Sequence, residues 1–386
     1  MIRAEFFNSA TVEGMLAAPG RKWHQDPSDV IPVWLADPDF PIAPEIKRAL
    51  LNAVHDEDLF YGSDNAVREA IAAKITSKNG LEVTAGEVMV TQGVTPGIWL
   101  AARYACKEGD DVVVTDPMYY PFVRATEVTK TRPVRWPLDF EEGYVFDIEE
   151  LKELVSDKTK LIFVCNPHNP TGRVLTKEEL KGIAEVAIDN GINIMVDELW
   201  EDIVFDSREH ITLASISPEI ADLTMTSWGF SKTYGVAGLQ IGYLCATNQE
   251  MIKRLRALAA GVLRGSSTLA MAAAFVMLDD TLEWWRSDVM KHLHLIRSLC
   301  EKRLDETPGV TYTKLEGTYL MFPKFDYGME SNQLEEYLYK EARVRFRSGA
   351  YFGSRGDGHL RISIATSEEI INEVFDRLQG ALGKLR

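Results

Sequence analysis

LIFVCNPHNPTGRVLTKEELKGIAEVAIDNGINIMVDE, residues 161–198, reads as strand, loop, helix and strand in succession. Residues 161–165 are a short apolar run of the kind a doubly covered sheet buries. Residues 166–173 crowd Asn, Pro and Gly into one turn-forming loop. Thr176 then precedes two acids and an apolar stripe, which predicts a capped helix over 177–190. A second apolar run, 192–196, ends on Asp197 and Glu198. Working outward, similar short runs stand at 88–91, 112–115, 223–227 and 241–245, with helical patterns between them. Strands alternating with helices predict crossover units and a mainly parallel, mixed sheet sandwiched by helices, an α/β domain. Residues 282–306 read as one long helix leading out of it. Beyond lie strands at 319–322 and 360–364 and helices at 331–341 and 368–382, a smaller α+β unit. The Pro- and Trp-rich N-terminal 45 residues are expected to pack against that unit. The expected division is therefore 46–285 for the large domain, and 1–45 with 286–386 for the small one. A length of 386 residues suits two such bodies.

Composition narrows the function. The chain carries 42 basic and 58 acidic residues, a formal charge of −16. Such a surface repels phosphate backbones, so nucleic acid is not an expected partner. No run reaches the roughly 18 apolar residues of a membrane helix; LAMAAAFVML is too short. Cys106, Cys165, Cys245 and Cys300 are scattered singly, which argues against a disulfide framework and a zinc site, and no metal is expected. The opening residues MIRAEFFNSA lack the layout of a secretory leader, and a cytoplasmic location is the expectation.

In parallel α/β sheets ligands bind beyond the carboxyl ends of the strands. After 88–91 come Gln92-Gly93-Val94-Thr95 and a helix, either a phosphate cradle or a simple cap. After 112–115, Asp116-Pro117-Met118-Tyr119-Tyr120 places two aromatics at the edge, suited to stacking on a flat ring or to packing. After 161–165, two Asn-Pro steps restrict the loop and fix the direction of Asn169. Asp197 ends a mostly apolar strand, where a carboxylate needs a cation or serves as a helix cap. After 223–227 comes Trp228-Gly229-Phe230-Ser231-Lys232-Thr233-Tyr234, and Lys232 is the only charge between Asp222 and Glu250. Desolvation lowers the pKa of such an amine, and a free amine is what Schiff-base chemistry requires. A ring stacker, an amide, a carboxylate, a phosphate cradle and an isolated lysine at one sheet edge describe a site for pyridoxal 5′-phosphate. No GxGxxG turn follows an early strand, which disfavours a dinucleotide oxidoreductase.

The segments YGSDNAVREAI (61–71), NPHNPTGRV (166–174), VDEL (196–199), SKTYGVAGLQIGY (231–243) and HLRIS (359–363) resemble those of the class I/II aminotransferase superfamily of pyridoxal-phosphate enzymes, fold type I. The resemblance spans essentially the whole chain. It implies that Lys232 forms the Schiff base and shuttles the α-proton, and that Asp197 pairs with the pyridinium nitrogen. It implies Asn169 as donor to the ring O3′, Tyr119 as ring stacker, and Val94, Thr95 and Ser231 at the phosphate. Tyr61 would reach the phosphate of a neighbouring subunit, which requires a homodimer with shared sites. Arg361 would clamp the substrate α-carboxylate, with Ala36 and Asn169 beside the substrate.

Several positions depart from the commonest pattern. Gln240 stands where many members place an arginine against the phosphate, Gly229 where a serine is usual, Trp200 where a tyrosine often supports O3′, and Ala36 where glycine is common. NPHNPTGR (166–173), the tryptophan-led WLADPDF (34–40), GLQ (238–240) and EGTYL (316–320) look like the cystathionine β-lyase-like C–S lyase branch, whereas Pro38 and Trp200 do not. Two reactions follow: transamination of an L-amino acid with a 2-oxo acid, the favoured reading, or β-elimination giving pyruvate, ammonia and a thiol. A cofactor-binding regulator with vestigial catalysis is the remote third. Trp34, Tyr61, Tyr120 and Trp200 suggest an aromatic-rimmed pocket, and Arg264 is a candidate for a distal carboxylate, against a surface role.

Overall fold

The computed structural model describes residues 3–263 and 265–385, so Arg264 lies outside the described residues. Seven strands form one sheet: β1 (Val88–Thr91), β2 (Asp111–Asp116), β3 (Arg132–Pro137), β4 (Thr159–Cys165), β5 (Asn193–Asp197), β6 (Thr224–Gly229) and β7 (Gly242–Cys245), in the order β1-β7-β6-β5-β4-β2-β3. Only β7 runs against its neighbours, so the other six strands end at the same edge. The strands predicted at 88–91, 112–115, 161–165, 192–196, 223–227 and 241–245 are all present, with ends shifted by no more than two residues. The central strands are buried at almost every position, which is why they read as apolar runs rather than alternating ones.

Strand β3 did not stand out in the sequence. It contains Pro133 and Pro137, and it lies at the sheet edge paired only with β2. There a missing N–H on the outer side costs no ladder bond. Helices α1 (Thr95–Ala105) and α2 (Tyr120–Thr129) start directly after β1 and β2. Helix α3 (Lys177–Asn190) matches the predicted span. Thr176 accepts from the Glu179 N–H while the Glu179 carboxylate accepts from the Thr176 N–H, and Gly191 closes the helix in the left-handed region.

Helix α4 (Glu283–Asp305) leads from the sheet to the C-terminal part. There a three-stranded antiparallel ribbon joins Leu320–Met321, Leu360–Ser363 and Arg347–Ser348, backed by the helices Ser331–Glu341 and Glu368–Leu382. The N-terminal segment runs along this part. Ile31–Pro32 pairs in parallel with Val344–Arg345, the Val33 carbonyl accepts from the Ser363 N–H, and the Asp39 N–H donates to the Ala365 carbonyl. Phe7 packs edge-on against Trp285 and Phe40. A buried ion pair between Lys22 and Asp39 at 2.9 Å, with the Trp23 indole N–H donating to the same carboxylate, fixes where residues 34–39 cross the sheet edge. Among the described residues no helix is long and apolar enough to cross a membrane.

Candidate active site

The carboxyl ends of the parallel strands bring Val94, Tyr119, Asn169, Asp197 and Lys232 to one edge. After β1 the chain turns through Gly93, whose φ of 84° is left-handed, and Val94 then opens α1. The Thr91 hydroxyl donates to the Gly93 carbonyl at 2.7 Å and holds this turn. Gly97, the third residue of α1, sits so close to Ser227 of β6 that a Cβ there would overlap the Ser227 hydroxyl. The helix start is thereby seated on the sheet, with Val94 buried and Thr95 exposed. A helix start of this kind offers backbone N–H donors and a positive dipole end to an anion.

After β2, Met118 is pinned by its N–H to the Phe352 carbonyl at 2.7 Å, and Tyr119 precedes α2. Burial pushes the Tyr119 phenol up to about 12, with Asp197 reinforcing and Arg361 opposing, so both charges lie near its ring. After β4, the loop 166–173 is closed from within. The Asn166 side-chain oxygen accepts from the Leu175 N–H at 3.0 Å, and the His168 ring bonds Thr115 and Thr171. Asn169 is buried, and its side-chain oxygen accepts from Arg361 Nη1 at 3.0 Å.

Asp197 ends β5 and is buried, and its carboxylate accepts from the Leu199 N–H at 3.0 Å. Among the described residues no cation stands within ion-pairing distance of it. Burial therefore raises its pKa to about 7, with Glu198 adding to the rise and the Leu199 N–H and Lys232 opposing it. Glu198 points elsewhere, held by Thr212, the Leu213 N–H and His210.

Lys232 follows β6. Its Nζ donates to the Ala36 carbonyl at 2.5 Å and lies 5.5 Å from the centre of the Trp200 ring. Burial lowers its pKa to about 8; Asp37 and Asp197 oppose that shift and Arg361 reinforces it. At that value about a tenth of the amine is unprotonated at pH 7, far more than for an ordinary lysine, and this is the form that attacks carbonyls.

Arg361, on the strand Leu360–Ser363, is buried rather than a surface arginine. Its Nη2 donates to the Trp34 carbonyl at 2.8 Å, and its Nε is buried without a partner. Burial lowers its pKa to about 10, which leaves a full positive charge short of one acceptor.

Three predicted positions sit apart. Ser231 is half-buried beside Lys232. Gln240 is exposed and left-handed at φ 49°, closing a single helical turn over 237–239. Tyr61 is fully exposed and touches no site residue of its own chain.

Other contributors escaped the sequence reading. The carbonyls of Trp34 and Ala36 anchor Arg361 and Lys232, and the Ala36 carbonyl also accepts from the Tyr319 hydroxyl at 3.2 Å. Tyr319 in turn packs edge-on against Trp200, ring centres 4.7 Å apart. Asp37 and Tyr319 lay within the quoted motifs at 34–40 and 316–320. The carbonyl acceptors leave no mark in a sequence.

An unpaired buried carboxylate asks for a cation, and a guanidinium lacking an acceptor asks for an anion. A depressed amine, an aromatic ring and a helix N-terminus stand around them. This donor set fits a flat, protonated heteroaromatic ring bearing an aldehyde and a phosphate.

Comparison with known proteins agrees in extent and kind. An aspartate aminotransferase of Pyrococcus horikoshii is 32% identical over 360 residues, covering 92% of this chain and 91% of that one. A cystathionine β-lyase of Bacillus subtilis is 28% identical, covering 92% and 93%. The crystal structure of cystalysin from Treponema denticola, which contains pyridoxal 5′-phosphate, superposes with a TM-score of 0.90 at 26% identity, covering 95% of each chain. The profile of aminotransferase class I and II matches residues 35–378, and the chain belongs to that family.

Proposed function

We propose that this chain is a pyridoxal-phosphate-dependent aminotransferase that moves the amino group of an L-amino acid to a 2-oxo acid. The observation that carries the reading is the convergence of Lys232, Asp197 and Arg361 at one sheet edge, none of them in an ion pair among the described residues. When bound, the cofactor supplies an electron sink that acidifies the hydrogen on the substrate α-carbon. Asp197 would face the ring nitrogen and keep it protonated. Tyr119 would cover the ring, and Asn169 would lie at its hydroxyl side. Val94 and Thr95 at the start of α1, with Ser231, would take the phosphate. Arg361 would grip the α-carboxylate with two parallel N–H bonds, a task suited to a planar guanidinium. The Lys232 amine, released from the Ala36 carbonyl, would take the proton from the α-carbon.

The β-elimination reading keeps support from the Bacillus subtilis relative, and both reactions use the same first proton transfer. Product analysis separates them. L-Aspartate with 2-oxoglutarate is expected to yield glutamate, and Lys232→Ala is expected to lower that rate on the order of a thousandfold or more. Pyruvate and ammonia from L-cystathionine, with no amino transfer to any oxo acid, would replace the first reading by the second.

Assembly belongs to the same proposal. Leu51 and Val54 on the helix Pro44–His55, Phe275 on the neighbouring helix Thr268–Leu278, and the run Leu59-Phe60-Tyr61 are exposed apolar side chains. Clustered apolar exposure marks an interaction surface. A homodimer that covers it would let Tyr61 reach the phosphate site of the second copy. Within each copy, we take 46–285 as the cofactor-binding body and the remainder as the smaller domain. The four cysteines are free, which suits a reducing, cytoplasmic setting.

A further inference from the structure

Three arginines alternate along Arg343-Val344-Arg345-Phe346-Arg347. The first two carry acids: Arg343 pairs with Asp29 at 2.7 Å and Arg345 with Asp26 at 2.8 Å. Arg347 does not. Among the described residues no carboxylate pairs with its guanidinium, and Glu335 acts on it only from farther away.

Its position makes this unusual. Arg347 stands directly opposite Arg361 in the antiparallel ribbon. Opposed residues of an antiparallel pair project to the same face, and like charges placed so repel. The repulsion registers on Arg361, whose guanidinium is destabilised by burial and further by Arg347. Two aromatic rings hold Arg347 in place: its guanidinium carbon lies 4.7 Å from the centre of the Trp34 ring and 4.8 Å from that of Tyr351. The Trp34 carbonyl accepts from Arg361, so one residue braces both cations. Tyr351 also contacts Tyr120, ring centres 5.4 Å apart, at the mouth beside Tyr119.

Stacking on aromatic faces orients a guanidinium while leaving its N–H fork free. Two adjacent cations, one with an unpartnered Nε and one with no carboxylate in ion-pair contact among the described residues, form a receptor that a single carboxylate leaves half satisfied. We propose that Arg347 is the specificity-determining residue for the substrate side chain and takes a second, distal carboxylate. The preferred substrates are then dicarboxylic amino acids and the dicarboxylic oxo acids that match them. The inference rests on Arg361 as the α-carboxylate clamp, and it is independent of whether the later step is transfer or elimination. Packing alone is the competing account, because the two rings would hold Arg347 whatever the substrate.

The holoenzyme and its Arg347→Gln variant, which keeps a planar stacking group and loses the charge, decide between these accounts. The expected result is a fall on the order of a hundredfold in the ratio of kcat/KM for L-aspartate to that for L-alanine. Maleate binding, measured calorimetrically on the holoenzyme without turnover, should weaken by a similar factor relative to propionate. An unchanged ratio, or equal losses on both substrates, overturns the proposal. If Arg347→Gln does not fold, Arg347→Lys serves, and it should keep part of the maleate preference because it keeps the charge. Arg361→Gln is the control for the underlying assignment: it should weaken both substrates, and if it weakens neither, the α-carboxylate reading fails whatever Arg347 shows.

Discussion

Asp197 and Lys232 answer the same physical question with opposite signs. Burial without a partner favours the neutral form of either group, so the acid moves up to about 7 and the amine down to about 8. In the unfolded chain the Asp197 carboxyl titrates near its ordinary 3.8. Without cofactor, the folded chain therefore holds a proton that the unfolded chain releases from about pH 4 upward, and folding weakens through Asp197 as pH rises towards 7. A cation on the carboxylate removes that loss. The gain in Tm on loading pyridoxal phosphate is thus expected to widen between pH 5 and pH 8 in the native protein and to stay flatter in Asp197→Asn. Equal slopes in the two proteins would remove Asp197 from the ring nitrogen. These two residues were legible in the sequence because each is a charge set in an apolar neighbourhood. Asp37 was not, since its influence on Lys232 depends on where the N-terminal segment crosses the sheet edge.

Elements were legible in proportion to how locally they are specified. Helix α3 announced its start through Thr176 and the early acids and its span through an apolar stripe, and strands β4 to β6 announced themselves through apolar runs bounded by turn residues. Strand β3 could not be seen, because its two prolines are tolerated only by virtue of an edge position that the rest of the sheet creates. The loop 166–173 lies between these cases. Its composition marked it, but its shape depends on contact with residues 315–317. Gly172 has φ 72°, its carbonyl accepts from the N–H groups of Glu316 and Gly317, and a Cβ there would overlap Leu315. Gly172→Ala combines left-handed backbone strain with overpacking and is expected to cost about 2–3 kcal/mol, read as a lower thermal midpoint. It should also weaken substrate binding, since Asn169 and Arg361 meet through this loop. A variant as stable as the native chain would show that the 315–317 contact does not set the loop.

For the molecule as a whole, the sequence specified the layers, and the encounter of its first forty residues with its last fifty completed the site. Trp34 and Ala36 come from one end and Arg361 from the other. The exposed run Leu59-Phe60-Tyr61 lies outside both, on the face assigned above to the proposed homodimer. On the proposed homodimer, Phe60→Asp is expected to give a monomer in sedimentation velocity and to reduce pyridoxal-phosphate affinity by roughly tenfold or more, because the proposed reach of Tyr61 into the second copy would be lost. A monomeric variant with native cofactor affinity would separate assembly from the cofactor.

The Ala36 carbonyl, shared by Lys232 and Tyr319, has a bearing on how this enzyme tolerates change. A peptide oxygen is the same atom whatever side chain sits beside it. Position 36 can therefore drift among small residues while its contribution persists, and an alanine scan passes over it in silence. Replacing the peptide link after Ala36 by an ester, which weakens that oxygen as an acceptor, would expose what no side-chain exchange can. Here the course of the main chain, not the identity of the side chain, supplies the acceptor.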